Sequence, residues 1–223
     1  MEDLDISIYT TEAELLEVTV GEITDLVDAQ LNETGKFHLA LTGGTLGNLL
    51  AQELAIEFSQ GDWRGLHIWW SDERFVPIDS DERNDLIFCN TLSTESGVVV
   101  HRANGDGDIE VAAKTLEREI AGINMDLIIL GMGPDGHIAS LFPGEIHADE
   151  SREVFAITNS PKPPAKRVTF SLKKINSANQ IWLVASGEGK ADAVAGLIEE
   201  EYSLPVSHVN LSRLLVDSAA FGI

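Results

Sequence analysis

The chain has 223 residues, of which 43% are hydrophobic, and this length and composition suit one domain. Its formal net charge of −22 argues against nucleic acid as a partner, because phosphate backbones attract basic surfaces. No apolar run approaches the roughly 18 residues of a membrane-spanning helix, and the acidic start MEDLDISIYT lacks a signal-peptide core. The lone Cys89 has no disulfide partner in the chain. We expect a cytoplasmic protein that binds no membrane and is a monomer or weak homodimer.

Hydrophobic periodicity predicts strands that alternate with helices along the chain. Alternating or continuous apolar runs predict strands over 5–10, 37–42, 66–70, 97–102, 126–130, and near 153–158, 167–171 and 180–185. Apolar side chains three and four residues apart, or good helix formers, predict helices between Thr11 and Gly35, through Leu46–Phe58, and over about 84–93, 108–122 and 189–200. Thr11 and Glu14 form a predicted capping box for the first helix, and Gly35 is its predicted stop.

This alternation is typical of a parallel sheet with helices on both faces. We therefore predict an α/β fold: one three-layer α/β/α domain over residues 1–223, with a mostly parallel, Rossmann-like sheet. Ligands of such sheets bind at the carboxyl ends of the strands. Polar, glycine-rich stretches follow the strands at 37–42, 66–70 and 126–130, so we expect these three loops to meet at one edge.

The first of these loops, Thr42-Gly43-Gly44-Thr45, lies between a strand and a helix start. Glycines let backbone amides approach an anion, and the helix N-terminus adds free N–H groups and a favourable dipole. The loop is not a Walker motif, because no G-K-[ST] is present. It is either a phosphate site or a tight turn with Thr45 as the helix N-cap.

Charged side chains cluster in the other strand-end segments. Asp72, Glu73 and Arg74 form either a solvated charge run or a device that orients a polar ligand. Lys190 opens a helix, where a cation is unfavourable for the helix dipole unless an anion lies beside it. Lys166 and Arg167 also fall near a predicted strand end, although Lys162 and Lys166 are equally explained as residues that keep the protein soluble.

The loop GMGPDGHIASLFPG at 131–144 follows a fully apolar strand. Its G-x-G-x-x-G spacing is not a dinucleotide fingerprint, because Pro143 and Gly144 stop the long helix which that fingerprint opens. His137 beside Asp135 is a candidate general base near neutral pH, or else caps a short turn. A metal site built from Asp135, His137 and His147 is a less favoured alternative. Ser140 lacks the G-x-S-x-G context of a hydrolase nucleophile.

The chain resembles the glucosamine-6-phosphate isomerase/6-phosphogluconolactonase superfamily, and within it the 6-phosphogluconolactonases. The resemblance rests on six motifs in the family's order, of which the long central one is highly specific. They are TGGT (42–45), SDERFVP (71–77), Asn84, DLIILGMGPDGHIASLFPG (126–144), PPAKRVT (163–169) and GEGKADA (187–193).

The resemblance implies roles for several of the matching residues and no cofactor or metal. The phosphate would bind to Thr42, Gly43, Gly44 and Thr45. Cations for phosphate or sugar oxygens would be Arg74, Arg167 and Lys190. His137 would be the base, with Asp135 and Asp72 beside it. The chain departs from the family pattern at Leu46-Gly47, where a proline is usual, and at Arg83, where a serine is usual; Arg83 either adds a cation near the substrate or points to solvent.

The activity implied is hydrolysis of 6-phospho-D-glucono-1,5-lactone, in which His137 activates water. Arg74 or loop amides would stabilise the tetrahedral oxyanion. One alternative is a sugar-phosphate isomerase or deaminase of the same superfamily, which would need a carboxylate base such as Asp72. Another is a phosphosugar-binding domain without catalysis.

Overall fold

The computed structural model describes residues 4–144 and 151–223 as a parallel sheet between helices, with a small antiparallel sheet beside it. The strands are β1 Asp5–Tyr9, β2 Phe37–Leu41, β3 Leu66–Trp70, β4 Asp72–Arg74, β5 Val99–Val100, β6 Leu127–Gly131, β7 Val154–Ile157, β8 Arg167–Phe170, β9 Gln180–Ala185 and β10 Arg213–Asp217. The helices are α1 Glu12–Thr34, α2 Gly44–Phe58, α3 Leu86–Thr91, α4 Ile109–Ile120, α5 Leu172–Asn176, α6 Ala191–Ile198 and α7 Ser218–Phe221. Short 3₁₀ turns span Glu188–Lys190 and Pro205–His208.

The main sheet has seven strands in the order β1-β10-β9-β6-β2-β3-β5, and all neighbouring pairs are parallel. The predicted α/β fold with a mostly parallel sheet is thereby confirmed. Strands β9, β6, β2 and β3 are consecutive in the sheet. Their carboxyl ends consequently lie side by side, which brings the loops that follow them to one edge, as the sequence predicts.

The two faces of this sheet bury separate apolar cores. One face packs against α1 and α2 and includes Phe37 and Phe58, while the other packs against α4 and α6 and includes Leu116 and Leu197. Full burial of such a side chain contributes about 1.5–3 kcal/mol. The continuous burial of β2 and β6 from both sides fixes the strand ends on which the candidate site is built.

Local sequence signals place α1 as predicted. The Glu14 amide donates to Thr11 Oγ1 at 3.2 Å, and Gly35 ends the helix in the left-handed region at φ 75°. The Glu14 carboxylate accepts from the amide of Thr10 rather than of Thr11. The capping box is therefore present with its return bond shifted by one residue.

The second sheet differs from the expectation of one continuous sheet. The strands predicted near 153–158 and 167–171 form, but β7 and β8 pair antiparallel with each other, and β8 pairs with the unpredicted strand β4. β10 and the short helices α5 and α7 were also not predicted. Throughout the described ranges, no helix is long and apolar enough to cross a membrane.

Candidate active site

A cavity of about 500 Å³ opens at the carboxyl edge of the parallel sheet. The loops after β2, β3, β6 and β9 line it, together with part of the antiparallel sheet. Nearly every residue predicted for the site lies in its wall: Thr42, Gly43, Gly44, Thr45, Asp72, Arg74, His137, Arg167 and Lys190. Asp135 does not line the cavity but contacts His137.

The loop after β6 is a tight turn built around the His137 ring. The Gly133 amide donates to the His137 carbonyl at 2.9 Å, and the Gly136 amide donates to the Gly133 carbonyl at 2.9 Å. Gly136 adopts φ 71°, which favours glycine. A Cβ at position 133 would lie 1.9 Å from His137 Nδ1, so glycine there makes room for the ring itself. The imidazole also stacks on Phe142, with ring centroids 4.8 Å apart.

His137 and Asp135 form a short hydrogen-bonded pair, with Nδ1 and Oδ1 2.5 Å apart. Partial burial of Asp135 disfavours its charge, yet the contacts with His137 and Lys162 outweigh burial and lower its pKa to about 2. The carboxylate is thus ionised, and Nδ1 carries the proton that joins the pair. The pKa of His137 is lowered, chiefly by burial, which opposes the raising effect of Asp135. Nε2 has no hydrogen-bond partner in the described ranges, and the neutral ring is a base-competent tautomer.

No helix follows Gly136 within residues 137–144, where the chain forms turns and isolated bridges. The glycine spacing therefore lacks the helix of a dinucleotide site. The alternative metal site includes His147, which lies outside the described residues. Within the described residues, no three His, Cys, Asp or Glu side chains are placed to hold a metal ion.

Asp72 is a buried anchor in the cavity wall. It is 5% exposed, and its Oδ2 accepts from Ser140 Oγ at 2.5 Å and lies 3.6 Å from Arg167 Nη1. The Asn84 side-chain amide donates to the Asp72 carbonyl at 2.9 Å. Ser140 is fully buried, and its hydroxyl group donates its hydrogen bond to Asp72. This geometry agrees with the exclusion of Ser140 as a nucleophile.

The remaining part of SDERFVP is not a solvated charge run, because Glu73 is only 3% exposed. Its carboxylate accepts from the amides of Arg74, Asn84 and Asp85 at 2.7, 2.8 and 3.0 Å. Burial, followed by the nearby Asp85 carboxylate, raises the pKa of Glu73 to about 7 against the opposing effect of Arg83 and the amide donors. Glu73 thereby fixes the backbone that presents Arg74 and Asn84 to the cavity.

Both expectations for Arg83 are wrong. The residue neither lines the cavity nor points to solvent, being 2% exposed. Its guanidinium donates to Asp85 at 2.8 and 2.5 Å and to the Ala103 carbonyl at 2.9 Å. Arg102 also donates to both carboxylate oxygens of Asp85, at 2.8 and 2.9 Å. Where the family usually has serine, this chain thus has a buried arginine whose guanidinium is hydrogen-bonded to Asp85 and to the Ala103 carbonyl. Arg83 stabilises the segment behind the cavity wall and does not face the cavity.

The loop after β2 presents the N-terminus of α2 to the cavity. Gly43, not Thr45, is the N-cap, and no side chain caps the helix, so its first amides have no partner within α2. A Cβ at Gly43 would lie 1.9 Å from Asn84 Oδ1, and Gly44 adopts φ 83°. A Cβ at Gly47 would lie 2.8 Å from the Thr42 carbonyl, so this departure from proline lets the helix approach the loop. The arrangement favours an anion.

The predicted cations are engaged to different degrees. Arg167 donates through Nε and Nη2 to the carbonyls of Pro164, Lys162 and Pro163 at 3.0–3.2 Å, and through Nη1 to Ser140. Arg74 donates Nη1 to the Glu82 carbonyl at 2.7 Å, and its Nε is without a partner within the described part of the chain.

Lys190 lies in a 3₁₀ turn whose start is held by Asp217. Both Asp217 carboxylate oxygens accept from the Gly187 amide, at 2.9 and 3.1 Å. The Lys190 ammonium has no hydrogen-bond acceptor among the described residues, and burial followed by the Lys162 charge lowers its pKa. This placement supports the interpretation that a cation opening a helix faces an anion.

Sequence reasoning missed three polar groups of the cavity wall. Glu12 and Ser186 meet at the rim, where Ser186 Oγ donates to Glu12 Oε2 at 2.5 Å. Lys162 is not merely solubilising, since it lines the cavity and contacts Asp135 and His137. Lys166 is exposed, as expected of a solubilising residue. Lys162 lies beside prolines in a basic segment, and nothing in the sequence there distinguishes its role from that of Lys166.

Comparisons with known proteins show the family to which the chain belongs. The model of the family described as glucosamine-6-phosphate isomerases/6-phosphogluconolactonase matches residues 10–216. The 6-phosphogluconolactonase of Mycobacterium leprae is 40% identical over 70% of this chain and 70% of that protein. The corresponding protein of Mycobacterium tuberculosis is 37% identical over 84% of this chain and 83% of its own length. The crystal structure of 6-phosphogluconolactonase from Thermotoga maritima superposes with a TM-score of 0.84 at 28% identity, covering 96% of this chain and 98% of that one. The chain therefore belongs to the glucosamine-6-phosphate isomerase/6-phosphogluconolactonase family.

Proposed function

We propose that this protein is a 6-phosphogluconolactonase that hydrolyses 6-phospho-D-glucono-1,5-lactone to 6-phosphogluconate in the oxidative pentose phosphate pathway. The observation that carries the proposal is the His137–Asp135 pair, whose ring lines a cavity that also holds an uncapped helix N-terminus. A base and an anion site in one cavity are what hydrolysis of a phosphorylated lactone requires. The similar 6-phosphogluconolactonases named above support the same activity.

In the proposed reaction, His137 Nε2 takes a proton from water while the water oxygen attacks the C1 carbonyl. Asp135 holds the Nδ1 proton and stabilises the imidazolium that forms. Arg74 or amides of the cavity loops stabilise the oxyanion. The imidazolium then returns its proton to the ring oxygen as the C1–O bond breaks, which opens the lactone and restores neutral His137.

We assign substrate positioning to the rest of the wall. Residues Thr42–Thr45 and Lys190 bind the phosphate, and Arg74 and Arg167 meet phosphate or sugar oxygens. Asp72 acts by holding Ser140 and Arg167 in place rather than as a proton acceptor. Binding of the remote phosphate orients the reacting carbonyl over His137.

The isomerase or deaminase alternative needs a carboxylate that is free to take a proton from carbon. Asp72 is the candidate, but its Oδ2 is occupied by Ser140 and faces Arg167. This engagement favours hydrolysis. The hydrolysis itself needs no metal or cofactor, because one histidine can supply both proton transfers.

We propose further that residues 1–223 form one 6-phosphogluconolactonase-like domain, cytoplasmic, and a monomer or weak homodimer. The net charge of −22 supports the absence of nucleic acid among its partners. Its partner is the small sugar phosphate lactone.

The test is product formation from freshly prepared lactone. We expect 6-phosphogluconate to appear far faster than in the enzyme-free control, which measures spontaneous hydrolysis. Glucosamine 6-phosphate, offered in a parallel assay, should release no ammonia. Equal lactone rates with and without protein would overturn the proposal, and ammonia release would favour the deaminase alternative.

A further inference from the structure

Lys162 lies beside the His137–Asp135 pair on the side away from Nε2. Its Nζ is 3.2 Å from Asp135 Oδ1 and 3.0 Å from His137 Nδ1. The backbone of Lys162 is held in place, because its amide donates to Ser160 Oγ at 3.3 Å and its carbonyl accepts from Arg167 at 3.2 Å. The ammonium is thus delivered to one spot by a fixed loop, although its side chain is 41% exposed.

The protons of this triangle can be assigned. An ionised carboxylate 2.5 Å from Nδ1 needs a proton between them, so Nδ1 is a donor to Asp135. An ammonium has donors only, and therefore Lys162 cannot hydrogen-bond to a protonated Nδ1. It binds Asp135 instead, and the remaining contact places a positive charge directly beside the ring.

Charged groups on several elements face the ring. Asp135 and the more distant Asp72 favour the imidazolium, whereas Lys162 opposes it. Lys190 adds a positive charge on the Lys162 side, and the Arg167 guanidinium lies 5.9 Å from the centroid of Phe142, on which the ring stacks. An aspartate that contacted the imidazole alone would favour its protonated form, which cannot accept a proton from water.

We propose that Lys162 is a positioning residue for the reaction, which pins the Asp135 carboxylate and places its charge beside Nδ1 so that His137 meets the substrate as a neutral base. Asp135 selects the tautomer that is protonated at Nδ1. Its negative charge would also stabilise the imidazolium, with a second proton on Nε2, and the positive charge of Lys162 offsets that effect. The kinetic part of this inference rests on the proposed lactonase function. The electrostatic part concerns the unliganded protein and can be measured without turnover.

The experiment compares Lys162→Met, Lys162→Arg and the control Lys166→Met, an exposed lysine of the same loop. The titration of the His137 ring protons is followed by NMR, with the resonance assigned by its loss in His137→Asn. We expect Lys162→Met to raise the pKa of His137, Lys162→Arg to keep it near wild type, and Lys166→Met to leave it unchanged. A rise of about one unit lowers the neutral fraction about tenfold below that pKa.

The acidic limb of kcat/KM for the lactone should move by the same amount, so that Lys162→Met loses more activity at pH 6 than at pH 8. An unchanged His137 titration in Lys162→Met would overturn the inference. So would a rise in KM by one factor at every pH with the titration unchanged, because Lys162 would then bind the phosphate. If the NMR shift appears but wild-type protein does not hydrolyse the lactone, the electrostatic assignment stands and the proposed function fails.

Discussion

Gly133→Ala separates the geometry of the base from the stability of the fold. The added Cβ would lie 1.9 Å from His137 Nδ1 and 2.4 Å from Asp135 Oδ1. Ordinary carbon contacts need about 3.5 Å, so the ring must move by roughly 1.5 Å or more. Both obstructing groups are side-chain ends that can rotate away, and each off-rotamer torsion costs about 0.5–1.5 kcal/mol. A displacement of about 1 Å can cost 10²-fold in rate, so we expect kcat to fall at least about 10²-fold.

The assay is 6-phosphogluconate formation at saturating lactone, with spontaneous hydrolysis subtracted, alongside thermal unfolding. The control is Gly21→Ala on the exposed face of α1, where the added methyl would meet nothing within 4 Å and kcat should stay within a few-fold of wild type. A Gly133→Ala protein with wild-type kcat and an unchanged His137 titration would refute the reasoning. A protein that no longer folds would refute the claim that only side chains need to move.

Three other changes test separate parts of the molecule. Lys190→Ala should raise KM for the phosphorylated lactone by roughly tenfold to a hundredfold, since charge-assisted bonds contribute about 1.5–3 kcal/mol, while unphosphorylated gluconolactone is little affected; equal losses on both would contradict the assignment. Arg83→Met leaves the buried Asp85 carboxylate short of a partner and should lower the free energy of unfolding by about 3 kcal/mol in urea titrations, whereas an unchanged midpoint would show that the pair is dispensable. Burial, then the neighbouring His67 charge, lowers the pKa of His38 and His101 to about 4. In the unfolded chain these histidines keep their ordinary pKa of 6.5, so below that pH the unfolded chain binds more protons than the folded protein. Their contribution to the free energy of unfolding should be complete above pH 6.5 and decrease towards pH 4. Replacement of both His38 and His101 by Gln should make the free energy of unfolding less dependent on pH in this range.

Local signals in the sequence predict the elements that carry the site. Nearly continuous apolar runs identify β2, β3 and β6, since strands buried on both faces carry few polar residues, here His38 in β2 and His67 in β3. Thr11 and Gly35 give the ends of α1 through cap geometry alone. The cluster of polar loops at one edge follows from parallel strands, and the cavity contains nearly all the residues that these loops nominate.

Long-range pairing and burial of charge are not encoded locally. The strand β4 is three charged residues, and it becomes a strand because β8, almost a hundred residues later, supplies its partner. Arg83 gives no sign of burial until Asp85 and Arg102 close around it. The sequence does not distinguish the roles of Lys162 and Lys166. In the fold, hydrogen bonds from Arg167 to the carbonyls of Lys162 and Pro163 hold the loop so that Lys162 lies beside His137.

The most direct test of the account is the turnover of His137→Asn. Asparagine keeps much of the size and some hydrogen bonding but cannot exchange a proton near neutral pH. After subtraction of spontaneous hydrolysis, we predict a kcat lower by about 10²–10⁴-fold, with 6-phosphogluconate binding and the thermal midpoint close to wild type. Near-wild-type turnover would contradict the account, because the histidine would then be structural and the base would have to be Asp135 or Asp72.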